Sequence, residues 1–254
     1  MAPAASEHRD PPACNQEDVP AVAGDPGAQG PGAGCEARRE PADELSAVVR
    51  RFAEGHLRGT RGSHAWDHTL RVCRLGGRIA RLESADLLVV TAAAYLHDIG
   101  RGRQDASRGR LCHALLGAKL AAPLVARLPL SAARRANILH SIRAHRFRGD
   151  CRPRTLEARV LFDADKLDAI GAVGIARAYL FAGEIGARLH NGAADIARTR
   201  AYSREDTGYR EYRLKLCRIR ERMLTAAGRQ LAEERHRFME AFFERFLLEY
   251  EARG

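Results

Sequence analysis

Residues 84–100, SADLLVVTAAAYLHDIG, decide the fold. From Ser84 to His97 the run is apolar on nearly every helical face and holds neither Gly nor Pro. A helix apolar all round belongs at the centre of a bundle. Gly100 and Gly102 follow, residue types that end helices, and Arg101 to Arg110 then read as a basic loop able to reach over a ligand. His97 and Asp98 thus stand at the end of a buried helix, where a polar group must be hydrogen-bonded, paired or bound to a cation.

Outward from this run the pattern stays helical. Pro41, with Asp43 and Glu44 in the next turn and apolar Leu45, Val48, Val49 and Phe52, marks a helix start. Further helices are expected over about 63–82, 112–128, 131–145 and 155–182, with Pro129, Gly149 and Pro153 as punctuation. Leu214, Leu216, Ile219 and Met223, and then Leu231, Phe238, Met239, Phe242, Phe246 and Leu247, predict two amphipathic helices that pack on the core; the Phe-rich strip is also a candidate homodimer contact. The fold class is therefore all-α: one compact helical bundle over 41–254 with the C-terminal helices packed on it. Residues 1–40 hold six of the ten prolines and five glycines and cannot bury enough apolar surface to offset ordering, so a disordered tail is expected there.

The formal charge is +10; residues 1–40 carry seven acidic and three basic side chains, which leaves +14 on the rest. Such a surface attracts phosphate compounds. No basic patch interleaved with aromatics is visible, so the expected partner is a small phosphate substrate rather than nucleic acid. No apolar run approaches the roughly 20 residues of a membrane span, and Cys14, Cys35, Cys73, Cys112, Cys151 and Cys217 form no C-x-x-C pair. A cytoplasmic protein with free thiols, at least three of them buried, is the expectation.

Three segments set chemistry-bearing residues in apolar surroundings: His64-x-x-x-His68-x-x-Arg71, His97-Asp98, and Asp163-Ala164-Asp165-Lys166-Leu167-Asp168. One shared cation would compensate all three. Imidazole and carboxylate together suit a borderline divalent ion, which makes water nucleophilic near neutral pH and polarises phosphoryl oxygens. The metal ligands expected are His68, His97, Asp98 and Asp165, and the reaction is hydrolysis of a phosphate ester or anhydride. Arg71, Arg101, Arg103, Lys166 and Lys215 lie on or near these segments and are candidates for binding phosphate. His64, one turn before His68, either orients a ligand or meets substrate. Asp163 and Asp168 read as helix caps or partners of Lys166, and His190 and His236 as surface or packing residues.

The order of His68, then His97-Asp98 after an Ala-Ala-Ala-Tyr-Leu helix, then Asp165, resembles the defining pattern of the HD superfamily of metal-dependent phosphohydrolases. Residues 63–72, 161–177 and 232–239 resemble one small microbial subfamily within it. The resemblance covers about 60–250 and implies an HD-domain helical bundle. It further implies a divalent metal, manganese first with Fe, Co, Zn or Mg as alternatives, and a nucleotide substrate, since some similar bacterial proteins split nucleoside triphosphates into monophosphate and pyrophosphate. His113 and His145 stand where binuclear members carry two more metal ligands, so that Asp98 would bridge two ions; the alternative is that they bind phosphate or sit in hydrogen bonds. Lys215, in an aromatic and lysine segment, is implied to bind substrate beneath the C-terminal helices. The sequence departs from the mononuclear nucleotidases in having Arg101 where an acid usually follows the His-Asp pair, which leaves Asp105 and Asp168 as candidate general acids beside Asp98. Two further readings share the ligand set: a binuclear iron oxygenase and a nucleotide-binding sensor without turnover.

Overall fold

The computed structural model describes residues 41–58, 66–107, 110–146, 151–192 and 194–253. The expected tail over 1–40 and the candidate His64 lie outside them. Among the described residues the regular structure is helical throughout, with no strand: α1 (Pro41–Leu57), α2 (Trp66–Glu83), α3 (Leu87–Leu96), α4 (Arg101–Ala106), α5 (His113–Arg127), α6 (Ala132–Ala144), α7 (Leu156–Leu167), α8 (Gly171–Glu184), α9 (Gly208–Leu214) and α10 (Ala226–Tyr250). None is long and apolar enough to cross a membrane.

α3 is the axis. α1, α2, α6 and α7 pack around it, α5 lies against α6, and α10 crosses α2, α7 and α8. Its Val90, Ala93, Ala94 and Leu96 are fully buried, as the all-apolar run requires. It begins three residues later than expected, because Ser84 adopts a left-handed conformation (φ 57°) and Asp86 caps the helix, accepting from the backbone N–H groups of Leu88 and Val89 at 3.1 and 3.2 Å. Each fully buried large side chain of the core, such as Ile79, Leu96, Ile138 and Leu161, contributes roughly 1.5–3 kcal/mol.

Four expectations are corrected. The segment after Gly100 is not an open loop: its first turn and a half is α4, with Gly102 inside it. The stretch 155–182 is two helices, broken where Asp168 caps the end of α7 and Gly171 takes φ +78°. The region of Leu214 to Met223 is the end of α9 followed by short 3-10 turns at Leu216–Arg218 and Arg220–Arg222, not one continuous helix. The cysteines described, Cys73, Cys112, Cys151 and Cys217, are free thiols and half-buried rather than buried.

Asp163 ties the C-terminal helix to the bundle. Its carboxylate accepts from the backbone N–H of Leu224 (2.9 Å) and Thr225 (2.8 Å) and from the Thr225 hydroxyl (2.7 Å). That hydroxyl in turn accepts from the Gly228 N–H in the first turn of α10. Asp163 thus holds Thr225, the N-cap of α10, from 62 residues away, and His236, expected at the surface or in packing, is buried on that helix.

Candidate metal centre

Six side chains meet where the ends of four helices and the first turn of α2 converge. His68 projects from α2 on the face it shares with Val72. His97 caps the end of α3 and His145 the end of α6. In both, Nδ1 donates to the carbonyl three residues back, Ala94 O and Ile142 O, each at 2.7 Å. These are carbonyls that a helix end leaves without an intrahelical partner. His113 opens α5, Asp98 follows His97, and Asp165 lies in the last turn of α7.

The ligand atoms form two trios, His68–His97–Asp165 and Asp98–His113–His145, each with donor atoms within 4.8 Å of one another. Asp98 stands between them. Its Oδ1 faces His113 Nε2 (3.2 Å) and His145 Nε2 (3.7 Å), while its Oδ2 faces His97 Nε2 (3.8 Å) and His68 Nε2 (4.0 Å). Asp165 Oδ1 lies 3.5 Å from His68 Nε2.

All four imidazoles use Nδ1 to reach an oxygen outside the cluster: His68 to Asp168 Oδ2 at 2.7 Å, His113 to Gln104 Oε1 at 2.8 Å, and His97 and His145 to the carbonyls above. With Nδ1 assigned as donor, the Nε2 lone pair of a neutral ring points inward. His113 and His145 bring two such atoms to 3.0 Å, and His68 and His97 to 3.3 Å. Acceptors that close repel unless a proton or a cation lies between them. The mixed nitrogen and oxygen donor set suits Mn, Fe, Co or Zn.

The charge states agree. Burial lowers His97 to about 4 and His113 to about 2, so both rings are neutral at pH 7. Burial also opposes charge on His68, but its hydrogen bonds with Asp165 and Asp168 outweigh that and raise it to about 9. Burial works against the Asp98 carboxylate too; the facing imidazoles and Arg101 nevertheless hold it well below the usual range. Lys166 and His68 do the same for Asp165 against the same burial.

Around the trios the other candidates divide. Arg101 sits with Nε 3.5 Å from Asp98 Oδ2, and Lys166 donates to Asp165 Oδ2 at 2.6 Å. Both border the centre. Asp168, a candidate acid, is instead enclosed beneath His68: besides Nδ1 of that ring it holds Arg71 through Nε (2.6 Å) and Nη2 (3.1 Å) and Arg177 through Nη1 (2.5 Å). Its oxygens are committed to these donors. Arg71, a candidate phosphate ligand, is spent on Asp168 and on Asp67 at 2.6 Å. Lys215 is turned to solvent and paired with Glu211, because Tyr212 and Leu216 take the buried side of its segment. Asp105 is exposed on α4, one turn beyond Arg101.

Two residues escaped the sequence reading. Gln104, in a stretch read as basic loop, carries no signal by itself. Arg146 follows His145 directly, and adjacency to a candidate ligand was its only mark; its Nη1 lies 3.2 Å from Cys112 Sγ, beside His113.

Close approach of α5 to the His97-Asp98 turn brings His113 within reach. A Cβ at Gly100 would lie 2.5 Å from His113 O and 2.9 Å from Gly117 N, and neither backbone atom can swing away. Gly100→Ala is expected to cost about 1–3 kcal/mol, read in urea unfolding, and to weaken the His113 trio before the His68 trio. Unchanged stability would mean that α5 shifts without penalty.

The HD domain family model matches residues 65–170. YpgQ of Bacillus subtilis is 33% identical over 210 residues, 76% of this chain and 88% of that protein. The crystal structure of YpgQ in complex with ADP superposes with a TM-score of 0.64 at 30% identity, over 82% of this chain and 95% of the other. An HD-superfamily hydrolase from Bacillus thuringiensis superposes with a TM-score of 0.66 at 26% identity, over 83% and 99%. With His68, His97-Asp98 and Asp165 gathered at one point, the chain belongs to the HD-domain hydrolase superfamily, among its small single-domain proteins like YpgQ.

Proposed function

We propose that the protein is a metal-dependent phosphohydrolase of nucleotides, with nucleoside triphosphates, cut to monophosphate and pyrophosphate, as the first substrate to test. The observation that carries this reading is the convergence of four Nε2 atoms on the two oxygens of one buried, ionised carboxylate, Asp98. His68, His97 and Asp165 would hold one divalent ion, His113 and His145 a second, with Asp98 shared. A divalent ion, manganese by preference, supplies Lewis acidity: it polarises phosphoryl oxygens and makes water a competent nucleophile near neutral pH. Arg101, Lys166 and Arg146 border the trios and would bind the phosphate oxygens as charge builds on them. Asp168 keeps His68 turned inward. Asp105, exposed near Arg101, is the carboxyl left to protonate a leaving group. The ADP complex of YpgQ favours a nucleotide as ligand.

The test is product analysis with Mn(II) against nucleoside mono-, di- and triphosphates and cyclic nucleotides. Release of pyrophosphate from triphosphates supports the reading. Oxygen uptake with iron and no phosphate product would make it an oxygenase, and binding without turnover a sensor.

The raised His68 adds a pH dependence. At pH 7 its ring carries a proton that an ion must displace, so affinity rises with pH, about tenfold per unit, and levels off above about 9. Calorimetry in two buffers should register close to one proton released at pH 7 as the His68 site fills. Affinity that is flat from pH 6.5 to 8.5 contradicts the assignment of that proton to His68.

A further inference from the structure

The two trios differ in what stands behind them. His68 Nδ1 is backed by a carboxylate, Asp168, itself fixed by Arg71 and Arg177. His113 Nδ1 is backed by a neutral amide, the Oε1 of Gln104 at 2.8 Å. The same oxygen lies 3.3 Å from the backbone N–H of His113, the first residue of α5, whose N-cap Cys112 makes no side-chain cap of its own. One atom of Gln104 thus sets both the ring and the start of its helix. Gln104 and Arg101 lie together on α4, so the turn that brings a cation to Asp98 also fixes His113.

We infer that Gln104 is the positioning residue of His113 and that its neutral acceptor makes the Asp98–His113–His145 trio the weaker of two ion sites, one that fills and empties while the His68–His97–Asp165 trio stays loaded. The inference rests on the metal reading above. A carboxylate behind a ligating imidazole strengthens its donation to a metal, and changing such a partner shifts affinity by about 10–100-fold. An amide holds the ring in place without that gain. The consequence is a centre whose second ion responds to the free metal concentration, with α4 as the element that links this response to substrate phosphate at Arg101.

The experiment counts Mn(II) bound to the full chain by equilibrium dialysis and follows free Mn(II) by electron paramagnetic resonance. Two classes of site are expected, and His113→Ala should remove the weaker. Gln104→Glu should tighten the weaker class by about 10-fold or more and leave the tighter one within a factor of about two; Gln104→Leu should weaken it by about 10–100-fold. Far-ultraviolet circular dichroism checks the fold, and Gln104→Glu, which keeps an acceptor for the His113 N–H, carries the test if Gln104→Leu does not fold. Two equal classes, or a weaker class untouched by both Gln104 variants, would overturn the inference. So would a single ion that survives His113→Ala and is lost in His97→Ala, a result that leaves the first trio standing. No bound ion in the wild type would instead overturn the metal reading itself.

Discussion

Asp98→Ala is expected to lose bound manganese and turnover together, with the rate falling by at least about 10³-fold. The carboxylate stands between both trios, Oδ1 toward His113 and His145 and Oδ2 toward His68 and His97, so its removal deprives both of an oxygen donor at once. Lewis-acid stabilisation is worth several kcal/mol, and each 1.4 kcal/mol is about tenfold in rate. Metal analysis of the purified variant and phosphate release under saturating Mn(II) measure the two effects. A variant that keeps its metal and a wild-type rate would place the chemistry elsewhere or betray a contaminant.

Asp168→Ala is expected to be the most destabilising change near the site, at about 3 kcal/mol, and to weaken the first ion by about 10–100-fold. It takes the carboxylate away from Arg71, Arg177 and the Nδ1 of His68, although Arg177 keeps the backbone carbonyl of residue 168, and breaking a buried charged pair costs about 3–5 kcal/mol. The lower figure applies because Arg71 keeps Asp67 and part of its surface remains in water. Asp168→Asn separates the two roles: the amide oxygen can still accept from His68, so metal affinity should recover more than stability does. The pH dependence has a definite sign. Burial alone would raise the Asp168 carboxyl, but His68, Arg71 and Arg177 hold it well below the usual range. A carboxyl depressed in the folded state stabilises above the unfolded value of about 3.9, and that contribution fades as pH falls through the lower folded value. Metal-free urea unfolding should therefore show a wild-type to Asp168→Ala gap that is full at pH 7 and narrows below about pH 4. A gap independent of pH would mean that packing, not charge, is lost.

The helical class and the central place of the 84–97 run were legible because each rests on a local signal, an unbroken apolar run; the nearness of His68, His97, Asp98 and Asp165 was legible only through their order, which resembles that of the HD superfamily. Element boundaries were less so. The break after Leu167 is marked only by Gly171 and Gly174 in a run that otherwise continues a helical pattern, and a glycine alone does not tell that Asp168 turns back to cap α7 while Gly171 takes a left-handed conformation. Lys215 misled because a lysine beside aromatic residues has the same appearance whether the segment presents it to a ligand or to water.

What the sequence determined by itself is the all-α bundle and which buried imidazoles and carboxylates need a partner, because helix periodicity and the cost of burying an imidazole or a carboxylate act over a few neighbouring residues. What only the tertiary structure decided is the role of each polar group. Asp163, Asp165 and Asp168 lie within six positions of one another, yet the first holds the N-cap of a distant helix, the second joins His68 and His97 in a trio able to hold a metal and the third braces His68. Gln104 likewise gained its place behind His113 only when α4 met α5. A hydrogen bond depends on which group arrives within about 3 Å, and that is set by how whole helices pack rather than by the residues on either side.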